Sequence, residues 1–253
     1  MHTFLSDGKD SHEDMVATAI YKGLTEIGFT DHLSLKPVGW AMPLERLNDM
    51  VTRVEHVRKN TNSGILKIRL GAEVDYFPGM ESDISNLIAS IPLDYTIGSV
   101  HFLGDWNFDT DIAPYDQVSI NQFYKNYFKA VQLSAQSGLF DIIGHCDLAK
   151  KFGYYPTFPL EELYEKTAVV FKETNVVVEL NTSGRIKPCN EFYPSVSFLQ
   201  ILSRHKVPVT LGSDAHVEQN VGQFFKDAIT ELKALGYKEI AVFNKRKRGF
   251  IKI

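Results

Sequence analysis

Cysteine is nearly absent: the 253 residues contain only Cys146 and Cys189. Two cysteines in so long a chain make no disulfide framework. That excludes the stapled secreted scaffolds and points to a reducing compartment, the cytoplasm. Long apolar runs are missing too, and none approaches the roughly 20 residues of a membrane span. The first residues are polar, so no signal peptide is visible. Neither sign of charge dominates. Lys and Arg number 27 against 31 Asp and Glu, a net charge of −4, and no global basic field favours nucleic acid. The one basic run, Lys245-Arg246-Lys247-Arg248, reads as a solvated tail. Low-complexity stretches, fixed-period repeats and Pro/Ser linkers are also lacking, so one domain over 1–253 is expected.

What the chain does have is alternation. The stretches EIGFTDH, ILKIRLGAEVDY, LDYTIGSVHF, LFDIIGHCD, NVVVELNTS and VPVTLGSDAH are short and β-branched, and end in Gly or polar residues. They read as buried strands. A final strand is expected over 239–243. Between them lie helix candidates at 11–24, 43–59, 115–136, 160–173, 194–204 and 219–235. Ser11 suits an N-cap, Glu13 and Asp14 suit a first turn, and Pro43 suits a helix start. Strand–helix alternation implies a largely parallel sheet, open or closed, and the length fits a single α/β barrel.

The ionisable groups follow that pattern. His32 ends the first strand candidate, Glu73 and Asp75 the second, His101 the third, His145 and Asp147 the fourth, Glu179 and Asn181 the fifth, and Asp214 and His216 the sixth. In a parallel barrel these ends meet on one face, and in an open sheet they line one crevice. Imidazoles and carboxylates gathered there suit a multinuclear site for Zn, Mn or Fe. His12, His56 and His205 lack this placement and read as ordinary polar-face residues. Cys146 reads as a small buried residue.

In order along the chain, HTFLSDGKD, IGFTDH, GAEVDY, GSVHFLGDWNFD, IGHCDLAKKFG, ELNTSGRIKP with EFYPS, and GSDAH resemble the polymerase and histidinol phosphatase (PHP) superfamily. GSVHFLGDWNFD and ELNTSGRIKP point to its histidinol-phosphatase branch. The resemblance covers nearly the whole chain. It implies an α/β fold, a distorted TIM-like barrel of about seven βα units, with metals at the C-terminal ends of the strands. It implies two or three divalent metal ions held by His2, Asp7, His32, Glu73, His101, His145, Asp214 and His216. Glu73 would bridge two metals, with His101 and His145 completing one centre and His2 and Asp214 the second. Asp7, His32 and His216 would hold the third. The family motif is His-x-His, and here the second histidine is His2. The first, with the body of its strand, would fall just before Met1, so the natural start is expected upstream.

The implied reaction is hydrolysis of L-histidinol phosphate, late in histidine biosynthesis. Water activated by the metals would attack in line, without a phosphoenzyme. Asp7, His32, Glu73, His101, Asp214 and His216 would carry the chemistry. Arg185, Lys187 and Lys150 would hold the phosphate, with Arg185 preferred for its bidentate fork. Asp75, Asp105 and Asp147 are available for the substrate's amine. The alternatives are a phosphoesterase acting on another small phosphate, a nucleotide or a phosphoprotein, a metal-binding module without catalysis, and a metal-dependent amidohydrolase. GSDAH and the SGRIKP cations favour phosphate.

Overall fold

The computed structural model of the protein describes residues 1–253. Its elements run α1 (His12–Tyr21), β1 (Glu26–Phe29), β2 (His32–Leu33), α2 (Leu47–Asn60), β3 (Lys67–Asp75), α3 (Glu81–Ala89), β4 (Tyr95–Ser99), β5 (Phe102–Leu103) and β6 (Trp106–Asn107). They continue as α4 (Ile120–Gln136), β7 (Ile142–Ile143), α5 (Glu161–Thr174), β8 (Val177–Asn181), α6 (Val196–Arg204), β9 (Val209–Gly212), α7 (Phe225–Ala234), β10 (Glu239–Asn244) and β11 (Lys247–Lys252).

The main sheet has the order β1-β3-β4-β7-β8-β9, every pair parallel, with β2 beside the upper part of β3. It curls into a half-barrel with helices outside. The expected distorted TIM-like α/β barrel is found in this curled form, open on one side: β1 and β9 are not paired to each other. Met1 and His2 bridge the mouth of this gap. Thr30 N–H donates to Met1 O at 2.9 Å, and His2 N–H donates to Ala215 O at 2.9 Å. Below them lies a cavity of about 430 Å³, walled by aliphatic side chains such as Ile27, Ile97, Ile142 and Leu211.

Local signals explain most elements. Ser11 caps α1 and closes a capping box with Asp14, which satisfies two otherwise orphan donors. Ser119 and Ser195 cap α4 and α6, accepting from Gln122 N–H and Phe198 N–H. The helix expected from Tyr115 starts only at Ile120, after a separate 3₁₀ turn at Ala113–Asp116. The one expected from Gln219 starts at Phe225, because Gly222 and Phe224 take positive φ. The solvated tail is also corrected. Lys245 and Arg246, both at positive φ, form the turn of the β10–β11 hairpin. Lys245 N–H donates to Asp94, Arg246 pairs with Asp141, and Arg248 bonds Asn175. The basic run therefore pins the hairpin to loops of the main sheet.

The core is one large cluster between sheet and helices. Its aromatic centre lies where α4, α5 and α6 meet. Phe198 is fully buried, stacks on Tyr164 at 4.3 Å and touches Phe128 and Phe171. Phe198→Ala should destabilise the fold by about 3–5 kcal/mol, as a large cavity in a packed aromatic cluster does. Denaturant titration of the variant against the parent checks this.

Candidate metal centre

All eight expected ligands meet at the C-terminal ends of the parallel strands, His2 and Asp7 arriving from the segment before α1. Glu73 ends β3 and stands in the middle. Its Oε1 lies 3.0 Å from His145 Nε2 and 3.6 Å from His101 Nε2. Its Oε2 lies 3.3 Å from His2 Nε2, which is 3.0 Å from Asp214 Oδ1. Asp7 spans two further rings, at 3.7 Å from His32 Nε2 and 3.3 Å from His216 Nε2. The His2 ring stacks on His32 at 4.0 Å and on His216 at 4.4 Å. Three groups thus have their ligand atoms within 4.8 Å of one another: Glu73, His101 and His145; His2, Glu73 and Asp214; and His2, Asp7, His32 and His216.

The backbone is bent to achieve this. His145 has φ 21° and Asp214 φ 49°, conformations that cost non-glycine residues energy and cluster at functional sites. Hydrogen bonds hold the first of them. His145 N–H donates to Glu179 Oε2 at 3.0 Å, and Tyr127 O–H donates to His145 O at 3.2 Å. Glu179 can lie there only because residue 212 is glycine, where a Cβ would come within 1.8 Å of its Oε1. Gly8 works similarly at the start of the chain: a Cβ there would meet His2 O at 2.2 Å.

The outer partners orient the rings. Asp75 Oδ1 bonds His101 Nδ1 at 2.7 Å, leaving Nε2 to face Glu73. Ser99 O–H donates to Glu73 Oε1 at 2.8 Å, and Ser183 O–H to Asp214 Oδ2 at 3.1 Å. Backing a ligand imidazole with a carboxylate is how metal sites fix its tautomer.

Electrostatics test whether cations fit. Burial opposes charge on Glu73 and Asp214, yet neighbouring imidazoles hold both carboxyls well below their usual range. Burial would lower His2, but its bonds to Asp214 and Glu73 raise it to about 10. Burial likewise opposes charge on His145, and Glu73 carries it to about 9. His32 goes the other way, to about 3, through burial and the charge on His2. Imidazoles raised this far mark a surplus of negative charge. In addition, Nδ1 of His2, His32 and His145 are buried without a hydrogen-bond partner. The opposite ring edges, Nε2 of His2 and His145, lie against the carboxylates of Glu73 and Asp214 and form with them a donor set that divalent cations satisfy, so the metal expectation fits.

Above these residues opens a cavity of about 340 Å³ lined by Asp7, His32, His101, His145, Asp214 and His216, with other side chains around them. Lys187 lines it as expected. Lys150 does not, and that expectation is corrected: its buried ammonium is taken by Asp147 at 2.9 Å and Glu191 at 2.7 Å. Arg185 is also outside the lining, its guanidinium over the rings of Phe192 and Phe224 at 5.3 and 5.9 Å. Lys151 takes a place in the wall instead. His12 is a further correction. It is fully buried, 4.6 Å from the Phe29 ring, not on a polar face. His56 is exposed, and His205 pairs with Glu165, as surface readings require. Sequence reasoning missed Trp40, Asp109, Asn220 and Gln223 in the cavity wall. Asp109 was within reach, since it closes the motif GSVHFLGDWNFD.

Comparison with known proteins agrees with this geometry. The model of the PHP domain matches residues 1–183. A probable histidinol-phosphatase of Deinococcus radiodurans is 36% identical over 234 residues, covering 90% of this chain and 88% of that protein. The histidinol-phosphatase of Bacillus subtilis is 27% identical over 245 residues, covering 86% and 91%. In three dimensions, the histidinol phosphate phosphatase of Lactococcus lactis, crystallised with zinc, L-histidinol and phosphate, superposes with a TM-score of 0.82. It is 24% identical, with 98% of this chain and 97% of that chain covered.

Asp75→Asn should lower metal affinity about 10- to 100-fold, since it removes the partner of a ligand imidazole. Equilibrium dialysis against zinc measures this directly. An affinity equal to the parent's would show that the Asp75 carboxylate does not support metal binding through His101.

Proposed function

The chain belongs to the PHP domain family, and from that premise we propose that it is a metal-dependent phosphomonoesterase. Its substrate in this reading is L-histidinol phosphate, cleaved to L-histidinol and phosphate in histidine biosynthesis. The relatives support the substrate. The observation that carries the chemistry is the single carboxylate, Glu73, shared between His101 with His145 and His2 with Asp214 beneath a cavity that also holds a free lysine.

In this reading Glu73, His101 and His145 would hold one divalent cation, and Glu73, His2 and Asp214 a second. Asp7, His32 and His216 would hold a third. Such cations supply Lewis acidity: they lower the pKa of water and neutralise charge on phosphoryl oxygens. The remaining work belongs to the side chains. Lys187 makes no ion pair within the protein and lines the cavity, so its ammonium is available to a phosphate dianion. Lys151, also in the wall, is tied to Asp109 at 2.6 Å. Asp75 and Ser99 keep His101 and Glu73 from rotating.

Neither cysteine is placed to attack phosphorus. Cys146 is buried, and burial pushes its thiol well above the usual range, so no thiolate forms there. Cys189 lies outside the cavity lining, with its Sγ 3.6 Å from Gly184 O. With both thiols out of play, water is the nucleophile in this reading, and the reaction needs no phosphoenzyme.

Zinc-loaded protein should release phosphate from L-histidinol phosphate, lose that activity on chelation and regain it when metal is returned. Equal or higher kcat/KM on unrelated phosphomonoesters would assign the substrate elsewhere within the family. Lys187→Ala should raise KM about 10- to 100-fold, the effect of losing a charge-assisted hydrogen bond. Arg185→Ala, at an exposed stacked site, should change KM by no more than about fivefold. Steady-state kinetics on the two variants discriminates between these cations.

A further inference from the structure

L-histidinol phosphate carries opposite charges close together. Its ammonium sits on the carbon next to the CH₂ that bears the ester oxygen. A pocket that selects it over other phosphomonoesters needs a carboxylate near the reacting phosphorus, one not already spent on a metal or a lysine.

The acids first considered for this role are all occupied. Asp75 is buried and bonded to His101. Asp147 is buried among Lys150, Ser195 N–H and Tyr164. Asp105 is solvent-exposed, pairs with Lys36 and does not line the cavity. Apart from Asp7 and Asp214, which belong to the ligand groups, one carboxylate lines the cavity, and it is Asp109.

Asp109 follows the β5–β6 hairpin and is held by three hydrogen bonds. Its N–H donates to Asn107 Oδ1 at 3.1 Å. Lys151 donates to its backbone oxygen at 2.8 Å and to Oδ1 at 2.6 Å. Oδ2 accepts no hydrogen bond from the protein. Burial opposes its charge, but Lys151, His101 and His145 hold the carboxyl below its ordinary range, so it is ionised. Asp109 lines the same cavity as the ligand rings of His101 and His145. Trp40, Leu148 and Ile186 supply apolar wall in the same cavity for a flat ring.

We propose that Asp109 is the specificity-determining residue of the site, accepting the substrate's ammonium on Oδ2 while Lys151 fixes its orientation through Oδ1. This rests on the histidinol phosphate reading above. In this arrangement Lys187 takes the negative end of the substrate and Asp109 the positive end. The two lysines of the wall thus differ in function: one is free for ligand, and the other positions the acid.

The test compares L-histidinol phosphate with 3-(imidazol-4-yl)propyl phosphate, the same ester without the amine, on zinc-loaded protein. The parent should prefer the aminated ester, and Asp109→Asn should cut that kcat/KM ratio about 10- to 100-fold, mostly through KM. Asp109→Glu should retain part of the preference, which a merely structural role for the residue does not predict. An Asn variant that keeps the parental ratio overturns the proposal. So does a parent that hydrolyses both esters equally well, and that result leaves the phosphatase reading standing. A parent that hydrolyses neither, while cleaving other phosphomonoesters, overturns the substrate reading and the role of Asp109 with it.

Discussion

A buried carboxylate at the centre of a half-barrel is the constraint that organises this molecule. Glu73 is about 5% exposed, and an ionised carboxylate that far from water costs several kcal/mol unless positive charge and hydrogen bonds surround it. The surroundings meet that demand from many elements. His2 comes from the start of the chain, His32 from β2, His101 from the turn after β4, and His145 from the turn after β7. Because Asp7 and Asp214 add further negative charge, the imidazoles alone balance the site only by carrying protons. Divalent cations balance it without them. The same charge surplus that makes the site costly in isolation therefore makes it a strong metal receptor.

That demand reaches into the backbone. Successive side chains of a strand point to opposite faces, so each strand end offers few groups to one face, but the ligands must converge to within a few ångströms. The chain achieves this by bending at His145 and Asp214, both at positive φ. A non-glycine residue adopts such a conformation only where the structure over-determines it. Glu179 and Tyr127 do so at His145, and Gly212 in turn makes room for Glu179. Burial raises the pKa of Glu179 itself, whose carboxyl accepts from His145 N–H and from the Asn181 amide.

Much of this was legible in the sequence, for a physical reason. Ligand residues stand where β-branched runs stop, and strand ends are marked by local composition, so His32, Glu73, His101, His145, Asp214 and His216 could be placed before any coordinates. Residues whose role depends on a distant partner could not. Lys150 looks like a phosphate cation until Asp147 and Glu191 close around it. His12 looks amphipathic on α1 until Phe29 packs against it. The helix α3 was missed because its nine residues give too short a periodic run. The basic run read as a tail because nothing local reveals that Asp94, Asp141 and Asn175 await it. The open side of the sheet between β1 and β9 was likewise a question of pairing, which composition does not encode.

The two cavities show how the fold separates stability from selectivity. The one enclosed below Met1 is walled by aliphatic strand residues, and substitutions there act on packing. The one above the ligands is walled by loops: Trp40 after β2, Asp109 after β6, Lys151 after β7, Lys187 after β8 and Asn220 after β9. Asp214 borders both cavities, and its partners His2 and Glu73 border the lower one. Strand ends are rigid, so they suit ligands whose spacing must be held to fractions of an ångström. Loops tolerate substitution without disturbing that spacing. A change of leaving group in this fold should therefore be accommodated in the loops, while the ring of imidazoles and carboxylates stays fixed by the charge it has to balance.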